Sequence, residues 1–250
     1  MRTNDQVEFE LLGETDDFLA VNKPAGLLVH PSKPGGPPTL WDGLRGLLGY
    51  ELANGGQVSI INRLDRETSG VVVIAKTAAA ARMAGLEMEA RRVRKIYLAI
   101  VMGWPDWEER SVDAPIVRKG ECQPSKVYLE RMVDPGGAPA FTSLRVLGRG
   151  QCPRGSCAVI EAQPRTGRTH QIRVHLAHVG FPVVGDKLYA KGSDHYLAFV
   201  AAGWNHALED ALWLPRHALH CSEMQLCGQV WKSPAPGDFG PFFEGCGLAP

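Results

Sequence analysis

The segment NRLDRETSG, residues 62 to 70, sets Arg63, Asp65, Arg66 and Glu67 in a short crossing between two apolar runs, Ile60-Ile61 and Val71 to Ala75. A turn can be built from Asn, Gly and Ser without any charge. An exposed, salt-bridged connection would add little stability. The chemical reading is that Asp65 is presented at a sheet edge, with arginines beside it to handle an anion. Thr68-Ser69-Gly70 would then turn the chain tightly into the next strand. A second stretch, QPRTGRTHQIRVHLAHVGFPVVGDKLY at 163 to 189, carries Arg165, Arg168 and Arg173 around a Gly turn and a helix entrance. A helix N-terminus with arginines nearby is a ready phosphate or carboxylate site. Arg173 lies off the Ile172/Leu176/Val179 face, where a solvated helix charge is the simpler expectation. His170, His175 and His178 invite a metal, but no carboxylate motif accompanies them, and hydrogen-bonded structural histidines are favoured.

Elements able to position these residues can be read on both sides. AVNKPAGLLVH, from Ala20 to His30, reads as a strand, a turn and another short strand. Residues 77 to 92 are strong helix formers with Thr77 as N-cap. IYLAIVMG at 96 to 103, FTSLRVL at 141 to 147 and CAVIEAQP at 157 to 164 read as strands, and HALHCSEMQLCG at 217 to 228 as a late one. THQIRVHLAHVG at 169 to 180 fits a helix that Gly180 stops. Strands come in adjacent groups and do not alternate strictly with helices, so the expected class is α+β. No long linker or internal repeat separates domains, and a single domain over 1–250 is expected. The stretch 231–250, rich in Pro and Gly, is expected to be an irregular tail.

The 250 residues can bury a substantial core, and no apolar stretch approaches the ~20 residues that cross a bilayer. The acidic start, MRTNDQVEFELLGETDD, has no apolar signal core, so a cytoplasmic protein with no membrane partner is expected. Six cysteines without a CxxC pair point to reduced, mostly buried thiols. The spacing of His217, His220, Cys221 and Cys227 matches no zinc pattern. The formal net charge is zero, yet residues 145 to 190 hold six arginines and one lysine against only Glu161 and Asp186. RRVRK at 91 to 95 is a second basic cluster. Local basic patches are compatible with a polyanion docking on one face.

NRLDRETSG, RKIYLAIVMG and RTGRTHQIRVHLAHVGFPVVGD, preceded by NKPAGLLVHP and followed by LPRHALHC, resemble the RluA-type pseudouridine synthases. The five blocks occur in the family's order, from about residue 17 to 228. The resemblance implies the pseudouridine synthase catalytic fold, with a central, mostly antiparallel mixed sheet flanked by helices and loops. It implies site-specific isomerisation of uridine to pseudouridine in structured RNA, ribosomal or transfer, with no cofactor and no metal. The family's essential aspartate falls on Asp65, its arginine partner on Arg173 and its tyrosine on Tyr97, where the ring can stack on uracil. Arg63 falls where an arginine can enter the space left by a flipped base. Arg165, Arg168 and His170 are expected to contact RNA, the two arginines by gripping its backbone.

One departure stands out: Asn62 replaces the histidine usual before the RLD triplet. It motivates the rival expectation, a catalytically inactive RNA-binding protein that keeps the synthase fold. A His/Cys metal hydrolase is a third and weaker reading. Many relatives carry a small N-terminal RNA-binding module. The first block begins near residue 17, so no such module is expected, and the protein is expected to act as a monomer.

Overall fold

A computed structural model of the protein describes residues 7–152 and 154–249; the first six residues of the acidic start lie outside them. In chain order the strands are β1 (Glu10–Glu14), β2 (Phe18–Lys23), β3 (Ser59–Ile60), β4 (Ser69–Ala75), β5 (Arg94–Met102), β6 (Glu109–Asp113), β7 (Ile116–Arg118), β8 (Arg131–Val133), β9 (Phe141–Cys152), β10 (Gly155–Pro164), β11 (Leu219–Leu226) and β12 (Gln229–Lys232). The helices are α1 (Leu40–Leu47), α2 (Gly49–Ala53), α3 (Ala78–Glu89), α4 (Lys119–Cys122), α5 (Gln171–His178), α6 (Asp194–Ala202), α7 (His206–Leu212) and α8 (Gly240–Gly245). The α+β class and the mostly antiparallel pairing expected from the sequence are what these elements form. The chain divides into two compact units, Met1–Lys95 with Cys221–Pro234, and Ile96–His220 with Ala235–Pro250.

In the first unit β4, SGVVVIA, is buried at every position, the pattern of a strand covered on both faces. It pairs antiparallel with β2 from Phe18↔Ala75 to Lys23↔Gly70, and with β3 at Ser59↔Ala75 and Ile60↔Ile74. Gly70, at φ 111°, lies against the backbone of Cys221, which a Cβ there would overlap. Only glycine meets both conditions. Thr77 caps α3 as expected, its hydroxyl accepting the Ala80 N–H. The second short strand expected after the NKPAG turn is absent. The carbonyls of Leu28 and Val29 instead accept the N–H groups of Leu40 and Trp41 at the start of α1, so this backbone serves a helix end and not a ladder.

In the second unit β10 pairs antiparallel with β5 on one side and β9 on the other, and β9 pairs with β6. The expected strands over 141–147 and 157–164 fall within β9 and β10, and that over 96–103 matches β5 up to Met102. The chain's end departs from expectation. Residues 237–239 form a single 3₁₀ turn leading into α8, with Phe239, Phe242 and Phe243 buried. Their i, i+3, i+4 spacing is a helical stripe that the surrounding Pro and Gly masked. The cysteines also depart. Cys152 and Cys157 form a disulfide across the β9–β10 turn, with Cα atoms 6.2 Å apart, inside the usual range for a bridge. Strand pairing brings these two together; their spacing is no recognised motif. Among the described residues no helix is long and apolar enough to cross a membrane, and no group of three or more His, Cys, Asp or Glu side chains is placed to hold a metal ion.

Candidate active site

In the first unit the charged loop between β3 and β4 is braced from several directions. Lys23, at the end of β2, has no exposed surface. Its Nζ donates to the carbonyls of Pro24 at 2.8 Å, Leu27 at 2.9 Å and Arg66 at 3.2 Å. A buried ammonium needs such acceptors to offset its lost hydration. The NKPAG turn and the Arg66-Glu67 peptide, one residue past Asp65, are thereby held to a single cation. Gly26 N–H donates to the Arg66 carbonyl at 2.8 Å, and Arg66 Nε returns a bond to the Gly26 carbonyl at 3.0 Å. The Thr68 N–H donates to the Asp65 carbonyl, closing the turn at 3.1 Å.

Asn62 continues the ladder with its side chain. Ile61 N–H donates to the Val73 carbonyl. Beyond it, Asn62 Oδ1 accepts the Val73 N–H and its Nδ2 donates to the Val71 carbonyl, both at 2.9 Å. The amide therefore acts on β4 as one more peptide group would, and the residue is buried. Asp65 is half-buried and Arg63 exposed. Partial desolvation first, then the Arg63 cation, pushes the His30 imidazole below its ordinary value, so the two side chains share one electrostatic neighbourhood.

In the second unit Tyr97 lies on β5 opposite Ala162 of β10 and is 8% exposed. The RTGRTHQ loop that follows β10 is fixed by Gln171, a residue the sequence reading passed over. Its Nε2 donates to the Phe141 carbonyl and Thr142 Oγ1, and its Oε1 accepts from Thr166 Oγ1 and the Arg168 N–H. Arg165 and Arg168 are exposed. Arg165 stacks over the Phe141 ring at 4.9 Å, and Arg168 Nε reaches the Pro139 carbonyl at 3.0 Å.

Helix α5 is buried at every position from Gln171 to Leu176, so Arg173 is no solvated charge. It is 5% exposed. Its Nε and Nη2 form a two-pronged bond to Asp186, at 2.7 and 2.9 Å. Asp186 has no exposed surface, and its Oδ1 also accepts the N–H groups of Leu188 and Tyr189. Burial would raise the Asp186 pKa, but the Arg173 charge and hydrogen bond outweigh it, joined by His217 and the Leu188 N–H. The carboxyl is held below its ordinary value.

The Arg173 guanidinium lies 5.1 Å from the centre of the Tyr189 ring. Tyr189 Oη accepts the Arg131 N–H of β8 and pairs with His170 Nδ1 at 2.7 Å. His170 itself takes a left-handed backbone at φ 59° just before α5, a conformation costly for a residue with a Cβ. His175 is structural, as expected, its ring bonded to Thr142 Oγ1 and the Ala114 carbonyl.

The sequence-derived residues thus fall in two groups. Asp65 and Arg63 sit on the braced loop of the first unit; Tyr97, Arg165, Arg168, His170 and Arg173 belong to the second. The structure gathers Arg173 and His170 with Asp186 and Tyr189, neither of which sequence reasoning assigned. The available signal was Asp186 itself, the one acid between residues 165 and 190. The local basic excess is largely met inside the protein: Arg145 pairs with Glu161, Arg149 with Glu108 and Arg154 with Glu209 and Asp210.

This arrangement of strands and helices is that of the pseudouridylate synthases. The human protein RNA Pseudouridylate Synthase Domain Containing 4 superposes with a TM-score of 0.71 at 26% identity, over 94% of this chain and 92% of that one. For the human Domain Containing 1 protein the TM-score is 0.68 at 24% identity, over 96% and 87% of the two chains, a likeness of fold alone. The model of the RNA pseudouridylate synthase family matches residues 17–178. Ribosomal large subunit pseudouridine synthase D of Pseudomonas aeruginosa is 36% identical over 241 residues, 93% of this chain and 70% of that protein. An uncharacterized RNA pseudouridine synthase of Chloroflexus aurantiacus is 46% identical over 178 residues, 70% of this chain and 52% of the other. The chain belongs to the RNA pseudouridylate synthase family, and it spans 52% to 70% of the length of these two relatives.

Proposed function

We propose that the protein isomerises a uridine within structured RNA to pseudouridine, with Asp65 as the catalytic carboxylate. In this reaction the bond from the ribose C1′ to uracil N1 breaks, the base turns, and a bond from C1′ to C5 forms. C5 loses a proton and N1 gains one, so the reaction is balanced with no co-reactant. A carboxylate suits it as nucleophile at the sugar carbon, or as the group that stabilises and deprotonates a sugar intermediate. Arg173 is assigned the role of the family's arginine partner, since a cation beside a carboxylate offsets the cost of burying it. Tyr97 holds the uracil ring by stacking, with its hydroxyl near the proton lost from C5. Arg63 enters the stack when the uridine flips out, a step that costs a few kcal/mol. Arg165, Arg168 and His170 contact the RNA.

The observation that carries this reading is the bracing of the Asp65 loop by a fully buried lysine bonded to the Arg66 carbonyl. A loop needed only as a connection gains little from a buried cation, whereas a reacting carboxylate requires fixed geometry. The binding-only alternative drew on Asn62, and that side chain is engaged in pairing with β4. Synthases named for the large ribosomal subunit among the relatives make large-subunit ribosomal RNA the first substrate to test.

Asp65→Asn is the decisive variant. Purified on unmodified ribosomal RNA, it is expected to form no pseudouridine while binding that RNA within about threefold of wild type, a difference under ~1 kcal/mol. Product formation at the wild-type rate would refute the assignment of Asp65.

A further inference from the structure

We infer that Asp186 is a positioning residue for the proposed reaction, setting the direction in which Arg173 presents its guanidinium; this rests on the reading of Arg173 given above. The geometry is specific. The carboxylate takes the Nε–Nη2 edge of the guanidinium through both oxygens, the planar fork that fixes orientation as well as distance. A single-point contact would leave the side chain free to swing about its long stem.

Asp186 is itself immobilised. Its Oδ1 accepts two backbone N–H groups of the chain just beyond it, from Leu188 and Tyr189. Its own N–H donates to the Val183 carbonyl at 3.2 Å. The residues before it are tied to β5, the strand of Tyr97. Val184 N–H donates to the Ile100 carbonyl at 2.9 Å, and Val183 bridges Val101. Gly185, at φ 77°, lets this turn pass against the Arg216 carbonyl, which a Cβ would overlap. The face of the guanidinium is covered by Tyr189, whose hydroxyl is anchored to β8 and to His170. Arg173 is therefore held along one edge and one face by groups that belong to a single rigid turn, GDKLY, pinned to the strand that carries Tyr97.

A pair retained for stability alone would need no such alignment, since replacing a buried ion pair with well-packed apolar residues is often neutral or better. A positioning role predicts a loss that appears in turnover. A displacement of about 1 Å at a catalytic group can cost roughly a hundredfold in rate.

The test compares Asp186→Asn, Asp186→Glu and Arg173→Lys with wild type, in kcat and KM for the same RNA, each checked for folding by thermal melting. Asp186→Asn removes the charge but keeps the shape. It is expected to lower kcat by at least about tenfold while KM stays within about twofold. Asp186→Glu restores the carboxylate on a longer arm and should recover part of that loss, leaving kcat at least about threefold below wild type. If Asp186→Asn fails to fold, the Glu variant decides by its own loss of at least about threefold in kcat. Wild-type kcat in the folded Asp186 variants, alongside a loss in Arg173→Lys, overturns the positioning role alone. Wild-type kcat in Arg173→Lys overturns the reading of Arg173 beneath it.

Discussion

At the residue scale, the most consequential side chain in the second unit is one that periodicity cannot flag. Arg173 sits one position after Ile172 on α5, and helical spacing alone puts it off the apolar face. The structure buries it because Asp186, thirteen residues later, supplies a carboxylate with no exposed surface. That partnership is set by the path of the turn after α5, which no local pattern encodes. It also has a measurable acid signature. The folded-state pKa of Asp186 is depressed. Its contribution to stability is therefore complete above the unfolded value of about 3.9 and disappears as pH falls through the folded one. Asp186→Asn should melt well below wild type at pH 7, since breaking a buried pair costs about 3–5 kcal/mol. That gap should narrow below about pH 4 as the wild-type carboxyl protonates. Melting curves of both proteins from neutral to acid pH check this, and a gap independent of pH would show that the charge of Asp186 is not what stabilises.

At the element scale, much of the framework was legible. The strands at 96–103, 141–147 and 157–164, the capped helix after Thr77 and the late strand near 220 could be read because apolar runs and a capping threonine are local signals. Two elements escaped for opposite reasons. Residues 27–30 look like a strand, but the carbonyls of Leu28 and Val29 go to the start of α1. Residues 237–245 look irregular but bury a helical stripe of phenylalanines. The β3–β4 connection was legible as a candidate site and illegible as a structure. Its charges pointed to chemistry, while the roles of Lys23 and Asn62 depend on which carbonyls come within reach. Asn62→Ala should remove two buried bonds to β4 and cost about 2–3 kcal/mol. Chemical denaturation measures it. A loss of a few tenths of a kcal/mol would show that the Asn62 amide is not part of the β4 ladder.

At the scale of the whole molecule, the residues assigned to chemistry are divided between the two units, Asp65 and Arg63 in one and Tyr97 and Arg173 in the other. Each unit holds its own share rigidly: the first through Lys23 and Asn62, the second through Gln171, Asp186 and Tyr189. Formal charge was a poor guide at this scale, because most of the arginines between 145 and 190 meet carboxylates of their own unit. The order of the motif blocks served better, since it runs through both units and agrees with the family match over residues 17–178.

The central claim is that the Asp65 carboxylate converts uridine to pseudouridine in RNA. Its most direct measurement is a transcriptome-wide map of pseudouridine in cells lacking the gene, restored with either the wild-type or the Asp65→Asn sequence. The account predicts at least one site that is absent without the gene, returns with wild type and stays absent with Asp65→Asn. A map that the gene's loss leaves unchanged, or a site that Asp65→Asn restores in full, would contradict it.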